Sequence, residues 1–68
     1  MLTRLTALDR TTGQILNIVE GDSEVHSEAL GSFADDFMFP QFVLRVETFD
    51  GHNLVGSFDA VREGGLLQ

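Results

Sequence analysis

Residues 21–40, GDSEVHSEALGSFADDFMFP, decide how the chain is read. Val25, Ala29, Phe33 and Phe37 recur at every fourth position, with Leu30, Ala34 and Met38 beside them. That spacing puts them on one face of a helix with an apolar stripe. Asp22 or Ser23 can accept a hydrogen bond from an orphan N–H at the helix start, and Glu24 and Glu28 then sit near the positive end of the helix dipole. Gly31 costs about 1 kcal/mol relative to alanine in a helix interior. Two starts are therefore expected, one near Ser23 and a later one at Ser32, where Asp35 completes a variant of the capping box. Pro40 pushes Phe39 toward an extended conformation and ends the helix in either case. Both versions make Ser32 to Met38 helical.

The flanks read as strands. Upstream, Leu2–Leu8 (LTRLTAL) and Ile15–Glu20 (ILNIVE) carry β-branched residues in rough alternation. Between them, DRTTGQ supplies an aspartate, two threonines and Gly13, which suits a short hairpin loop with the glycine at positive φ. Downstream, Phe42, Leu44, Val46 and Thr48 share one strand face, as do Leu54, Gly56, Phe58 and Ala60. Pairing these faces sets Leu44 opposite Phe58 and Val46 opposite Gly56, which requires an odd-numbered loop around Asp50-Gly51-His52. The terminal GLLQ reads as a short extra strand. The expected fold is α+β, a small single domain spanning 1–68 in ββαββ order. One helix packs an antiparallel sheet, with Phe33 and Phe37 against Leu44, Val46 and Phe58.

Sixty-eight residues support one domain, and a chain this short buries too little surface to be more than marginally stable without help. It contains no cysteine, so disulfides, thiolate metal sites and thiol catalysis are excluded together. No apolar run approaches the ~20 residues of a membrane-spanning helix. The opening MLTRLTALDR lacks the apolar core of a signal peptide, so the expected location is cytoplasmic. The formal net charge is -7, with four arginines and no lysine. Such a field repels phosphates and anionic membranes and steers toward basic partners. No direct nucleic-acid partner and no membrane are expected.

Leu44, Val46, Asp50, Gly51, Leu54, Gly56 and Phe58, within LRVETFDGHNLVGSF, are similar to the first motif of the Sm and LSm-like proteins. The resemblance implies a small barrel that assembles into rings and binds RNA. It departs from the family in the next loop, where an aspartate and an asparagine would hold a base. Here VREGGLL places Arg62 and Gly65 at the nearest positions, and the arginine–glycine second motif is missing. The stretch is read as a hairpin, with the RNA-binding barrel as a third reading of function.

No catalytic constellation stands out. His26 and His52 are the two side chains that ordinarily titrate near neutrality. No nucleophile elbow or phosphate-cradling glycine loop accompanies them. Glu20, Asp22, Glu24, His26 and Glu28 alternate, but a helix through them scatters the set, and the glycine of a calcium loop is missing. No enzyme activity, metal or cofactor is expected.

Four of the six phenylalanines, Phe33, Phe37, Phe39 and Phe42, fall within ten residues beside Met38 and the pair Asp35-Asp36. One small sheet cannot cover all of them. Apolar anchors rimmed by carboxylates suit a protein interface. The expected partner-binding residues are Glu24, Glu28, Asp35, Asp36, Met38 and Phe39. The expected function is an acidic protein-binding module, an adaptor or an inhibitor occupying a basic surface, in its sharpest form a nucleic-acid mimic of phage or mobile-element type. The alternative is a structural subunit of a homo-oligomer or larger particle.

Overall fold

A computed structural model describes residues 1–62. Its elements are β1 (Leu2–Asp9), β2 (Ile15–Asp22), α1 (Ser27–Asp36), β3 (Phe42–Asp50) and β4 (Asn53–Ala60). The strands form one antiparallel sheet in the order β2-β1-β3-β4. The α+β class, the ββαββ order and the single helix on an antiparallel sheet agree with the sequence reading. The extra strand expected at GLLQ lies outside the described residues.

Both hairpins are held by their loops. In the first, the Asp9 carboxylate accepts hydrogen bonds from the Thr11 and Thr12 N–H groups at 2.8 and 2.9 Å, and Gly13 takes φ 77°. These two donors hold the Asp9 carboxyl below its ordinary pKa. In the second, Gly51 takes φ 62° in the turn between Asp50 and Asn53, a backbone region glycine occupies without steric cost.

The register of the second hairpin corrects the sequence reading. Leu44 faces Ala60, Val46 faces Phe58 and Thr48 faces Gly56, while Phe49 faces Leu54 and Asp50 faces Asn53. A bulge at Val55 absorbs the extra residue, so the turn itself is the two-residue Gly51-His52 and no odd loop is needed. The bulge also moves Leu54 off the face it was expected to share with Gly56, Phe58 and Ala60.

The helix differs from both expected versions. The Asp22 carboxylate accepts from the Glu24 and Val25 N–H groups, at 2.8 and 3.1 Å. It therefore caps a separate turn, and α1 begins only at Ser27, with the Leu30 N–H bonded to the His26 carbonyl. Gly31 falls inside the helix on an open surface, where a Cβ would meet nothing within 4 Å. The helix stops at Asp36 rather than Met38. Phe37 and Met38 turn back by donating to the carbonyls of Ala34 and Asp35, three residues earlier, ahead of Pro40.

Leu5, Leu30 and Leu44 form the core, with Val19, Phe33, Ala34, Val46 and Ala60 partly buried against it. Phe33 is thus a core contact as expected. Phe37 lies beyond the helix and is half-buried between Phe33 and Phe42, with ring centroids 5.0 and 5.2 Å away. Phe58 is not packed under the helix: it is 61% exposed. The helix lies mainly on β2 and β1, and of β4 only Ala60 packs against the core.

Candidate functional site

The two sheet faces follow from the register. One face, under α1, carries Val19, Leu5, Val46 and Phe58 in one cross-strand row and Asn17, Ala7, Leu44 and Ala60 in the next. The other face is charged along its middle. Arg4 sits directly between Glu20 on β2 and Glu47 on β3, donating to Glu20 at 2.7 Å and lying 3.7 Å from Glu47. Its guanidinium also lies 4.9 Å from the centre of the Phe49 ring. Arg45 faces Asp59 and bonds both its oxygens, at 3.0 and 3.4 Å. Donating to the Glu20 and Asp59 carboxylates raises the two guanidinium pKa values further. Cross-strand pairs of opposite charge make this face electrically quiet.

The helix is the opposite case. Leu30, Phe33 and Ala34 face the sheet. Glu28 and Asp35 are seven residues apart, close to two turns, so they project together from the side away from the sheet, about 10 Å apart along the axis. Gly31 and Ser32 lie exposed between them, leaving a crest with little side-chain bulk. Glu24, in the preceding turn, and Asp36 are exposed as well. None of these four carboxylates has a cation within ion-pair distance among the described residues, whereas Glu20, Glu47, Asp59 and Asp22 each do.

Of the two expected apolar anchors, Phe39 is 47% exposed and Met38 is half-buried. The Met38 carbonyl accepts a hydrogen bond from Arg62 at 3.4 Å. Asp35, Asp36, Met38 and Phe39 gather at the C-terminal end of α1, and Glu24 and Glu28 lie toward its start. The six residues therefore form two groups along one helix, not a single spot.

The sequence reading missed a further apolar surface. Leu54, Val55 and Phe58 on β4 and Val61 just after it are exposed, as are Ile15, Leu16 and Ile18 along β2. The signal lay in NLVGSFDAV, where large apolar residues occur at both parities, so one strand face could not bury them all.

The alternating set from Glu20 to Glu28 is divided. Glu20 points to the charged sheet face, and the His26 side chain closes over Gly21, where an added Cβ would lie 3.1 Å from the histidine Cβ. Among the described residues no three histidine, aspartate or glutamate side chains form a group that could hold a metal ion, and no cavity is enclosed. No helix among them is long and apolar enough to cross a membrane. Comparison with protein-family models, curated proteins and solved structures gives no match.

Proposed function

We propose that this chain is a non-enzymatic acidic protein-binding module, an adaptor or inhibitor that presents α1 to a basic surface on a cytoplasmic target protein. The supporting observation is the separation of charge. Glu20, Glu47 and Asp59 on the sheet are matched by arginines, whereas Glu24, Glu28, Asp35 and Asp36 stand exposed on the helix side with no cation partner among the described residues. A helix that displays carboxylates in series can occupy a surface built for phosphates, which makes a nucleic-acid mimic the sharp form of the proposal. Phe39 supplies the apolar anchor at the end of that series.

Exposed charges set mainly the rate of encounter, and buried apolar contacts set residence time. Binding kinetics to a captured basic partner should show association slowed by salt and by Asp35→Asn with Asp36→Asn. Phe39→Ala should instead speed dissociation. Affinity indifferent to salt and to both variants would remove the helix from the interface.

The exposed apolar residues of β4 favour a second reading, a subunit that self-assembles. The Sm-like barrel is a third; a titration with single-stranded RNA at physiological salt tests it, and no binding is the expected result.

A further inference from the structure

The sheet has two edges, and they are unequal. At the β2 edge the helix lies overhead, a bulge interrupts the ladder between Ala7 and Leu8, and Glu20 and Asp22 line the strand. Charges, bulges and covering elements are the usual protection against strand-to-strand pairing. Among the described residues, the β4 edge has only the bulge at its start. Its eight residues, NLVGSFDA, include no lysine, arginine or proline, and their single carboxylate, Asp59, is held by Arg45. Leu54, Val55 and Phe58 are 52%, 55% and 61% exposed there.

We propose that β4 pairs antiparallel with β4 of a second copy about a two-fold axis, giving a continuous eight-stranded sheet with Phe58 opposite Phe58 of the other copy. The inference rests on the second reading above, self-association, and is independent of helix docking. Three observations point to a second copy as the occupant.

The first is complementarity. A two-fold axis normal to the sheet keeps side chains on their own face, so the register can shift only in steps that preserve parity. With Phe58 on the axis, Ser57 meets Asp59 of the second copy and Gly56 meets Ala60, and no like charges touch. Centring the axis one residue later sets Asp59 against Asp59. Centring it one residue earlier sets Phe58 over Gly56 and loses the aromatic pair, a favourable cross-strand combination.

The second is charge at long range. Each helix lies over β2 and β1, so about six strand spacings, roughly 29 Å, separate the two acidic crests in the pair. That is several times the screening length of about 8 Å at physiological salt, so the two crests add little repulsion to this contact. Pairing through β2 would bring the two helices side by side.

The third is the thin core. Five apolar residues are buried among the described residues, and of their side chains only the small Ala7 is fully enclosed. Domains of this length commonly add disulfides, a metal or oligomerisation, and a chain without cysteine has no disulfide.

Because the chain has no native cysteine, single substitutions report the geometry directly. Sedimentation at tens to hundreds of micromolar should give twice the 7.5 kDa chain mass. Phe58→Cys should form a disulfide-linked pair under mild oxidation, whereas Ile18→Cys on the opposite edge should not. Phe58→Lys, at a position exposed enough to leave the fold intact by far-ultraviolet circular dichroism, should return the mass to that of one chain. A dimer that survives Phe58→Lys, or that cross-links through Ile18→Cys and not Phe58→Cys, overturns the β4 pairing while leaving self-association standing. A single-chain mass across the whole concentration range overturns both.

Discussion

The half of the sheet formed by β2 and β1 lies under α1, and the half formed by β3 and β4 reaches out beyond it. On the helix face β1 contributes Leu5 and Ala7 to the buried set, whereas β4 contributes no buried residue. The difference follows from dimensions. A helix with its side chains is about 10–12 Å across, and strands are spaced at about 4.8 Å, so one helix covers two strands and part of a third. Leu44 on β3 falls just within that cover and Phe58, on the next strand, falls outside it. A four-stranded sheet served by a single helix thus has an apolar margin whatever the fine packing.

The sharpest way to break this comparison is to truncate one residue on each side of the boundary. Leu44→Ala, at a site 3% exposed, should cost about 2–5 kcal/mol by urea denaturation, enough to unfold much of a marginal domain. Phe58→Ala, measured at a concentration where the chain is monomeric, should shift stability by no more than about 0.5 kcal/mol. Equal losses at the two positions would show that the helix covers β4 after all.

A smaller contrast lies between two glycines. Gly21→Ala forces a methyl group against His26 in a buried position and should destabilise by about 1–3 kcal/mol. Gly31→Ala places its methyl in open space on the helix crest and should stabilise by about 0.5–1 kcal/mol through helix propensity and a less flexible unfolded chain. Thermal melts of the two variants should move in opposite directions.

The smallest expected effect is acid sensitivity confined to the covered half. Backbone N–H groups of Val25 and Glu24 hold the Asp22 carboxyl below its ordinary pKa, as those of Thr12 and Thr11 do for Asp9. A depressed carboxyl pKa contributes stability that is fully present above the unfolded value, about 3.9, and is lost as pH falls through the lower folded value. Stability should therefore decline below about pH 4, and Asp22→Ala should be less stable than the parent at neutral pH with a shallower acid limb. An unchanged slope in melts between pH 5 and 2 would show that the turn before α1 does not depend on Asp22.

The element order was legible because its signals are local. Gly13 and Gly51 mark both turns, Pro40 closes the helical segment, and alternation places Leu5, Leu44 and Val46 on the inner face. The misreadings arose where two local signals competed. Asp22 is a capping residue, but it caps its own turn, so the helix starts at Ser27 despite the cap sequence. Asp50-Gly51-His52 suited either an odd loop or a two-residue turn with a bulge, and nothing in the composition distinguishes them. The exposure of Phe58 was invisible because it depends on how far one helix reaches, a tertiary property. Of the candidate site, the exposed carboxylates and Phe39 could be anticipated from their spacing, whereas the neutral pairing on the far sheet face emerged only from the register that sets Arg4 between Glu20 and Glu47.

The central position of β1 bears on the order in which the chain can assemble. β1 and β2, and likewise β3 and β4, meet through short loops, but β1 must find β3 across everything from Asp9 to Phe42. Loop-closure entropy makes that late pairing the slow event, and a lone two-stranded hairpin is at best marginal in water. During synthesis the first hairpin and the helix leave the ribosome before residue 42, so the strand with the most buried side chains presents an open edge in the nascent chain. Substitutions that weaken the β1–β3 seam should slow folding, whereas changes at β4 that spare the seam should act mainly on unfolding.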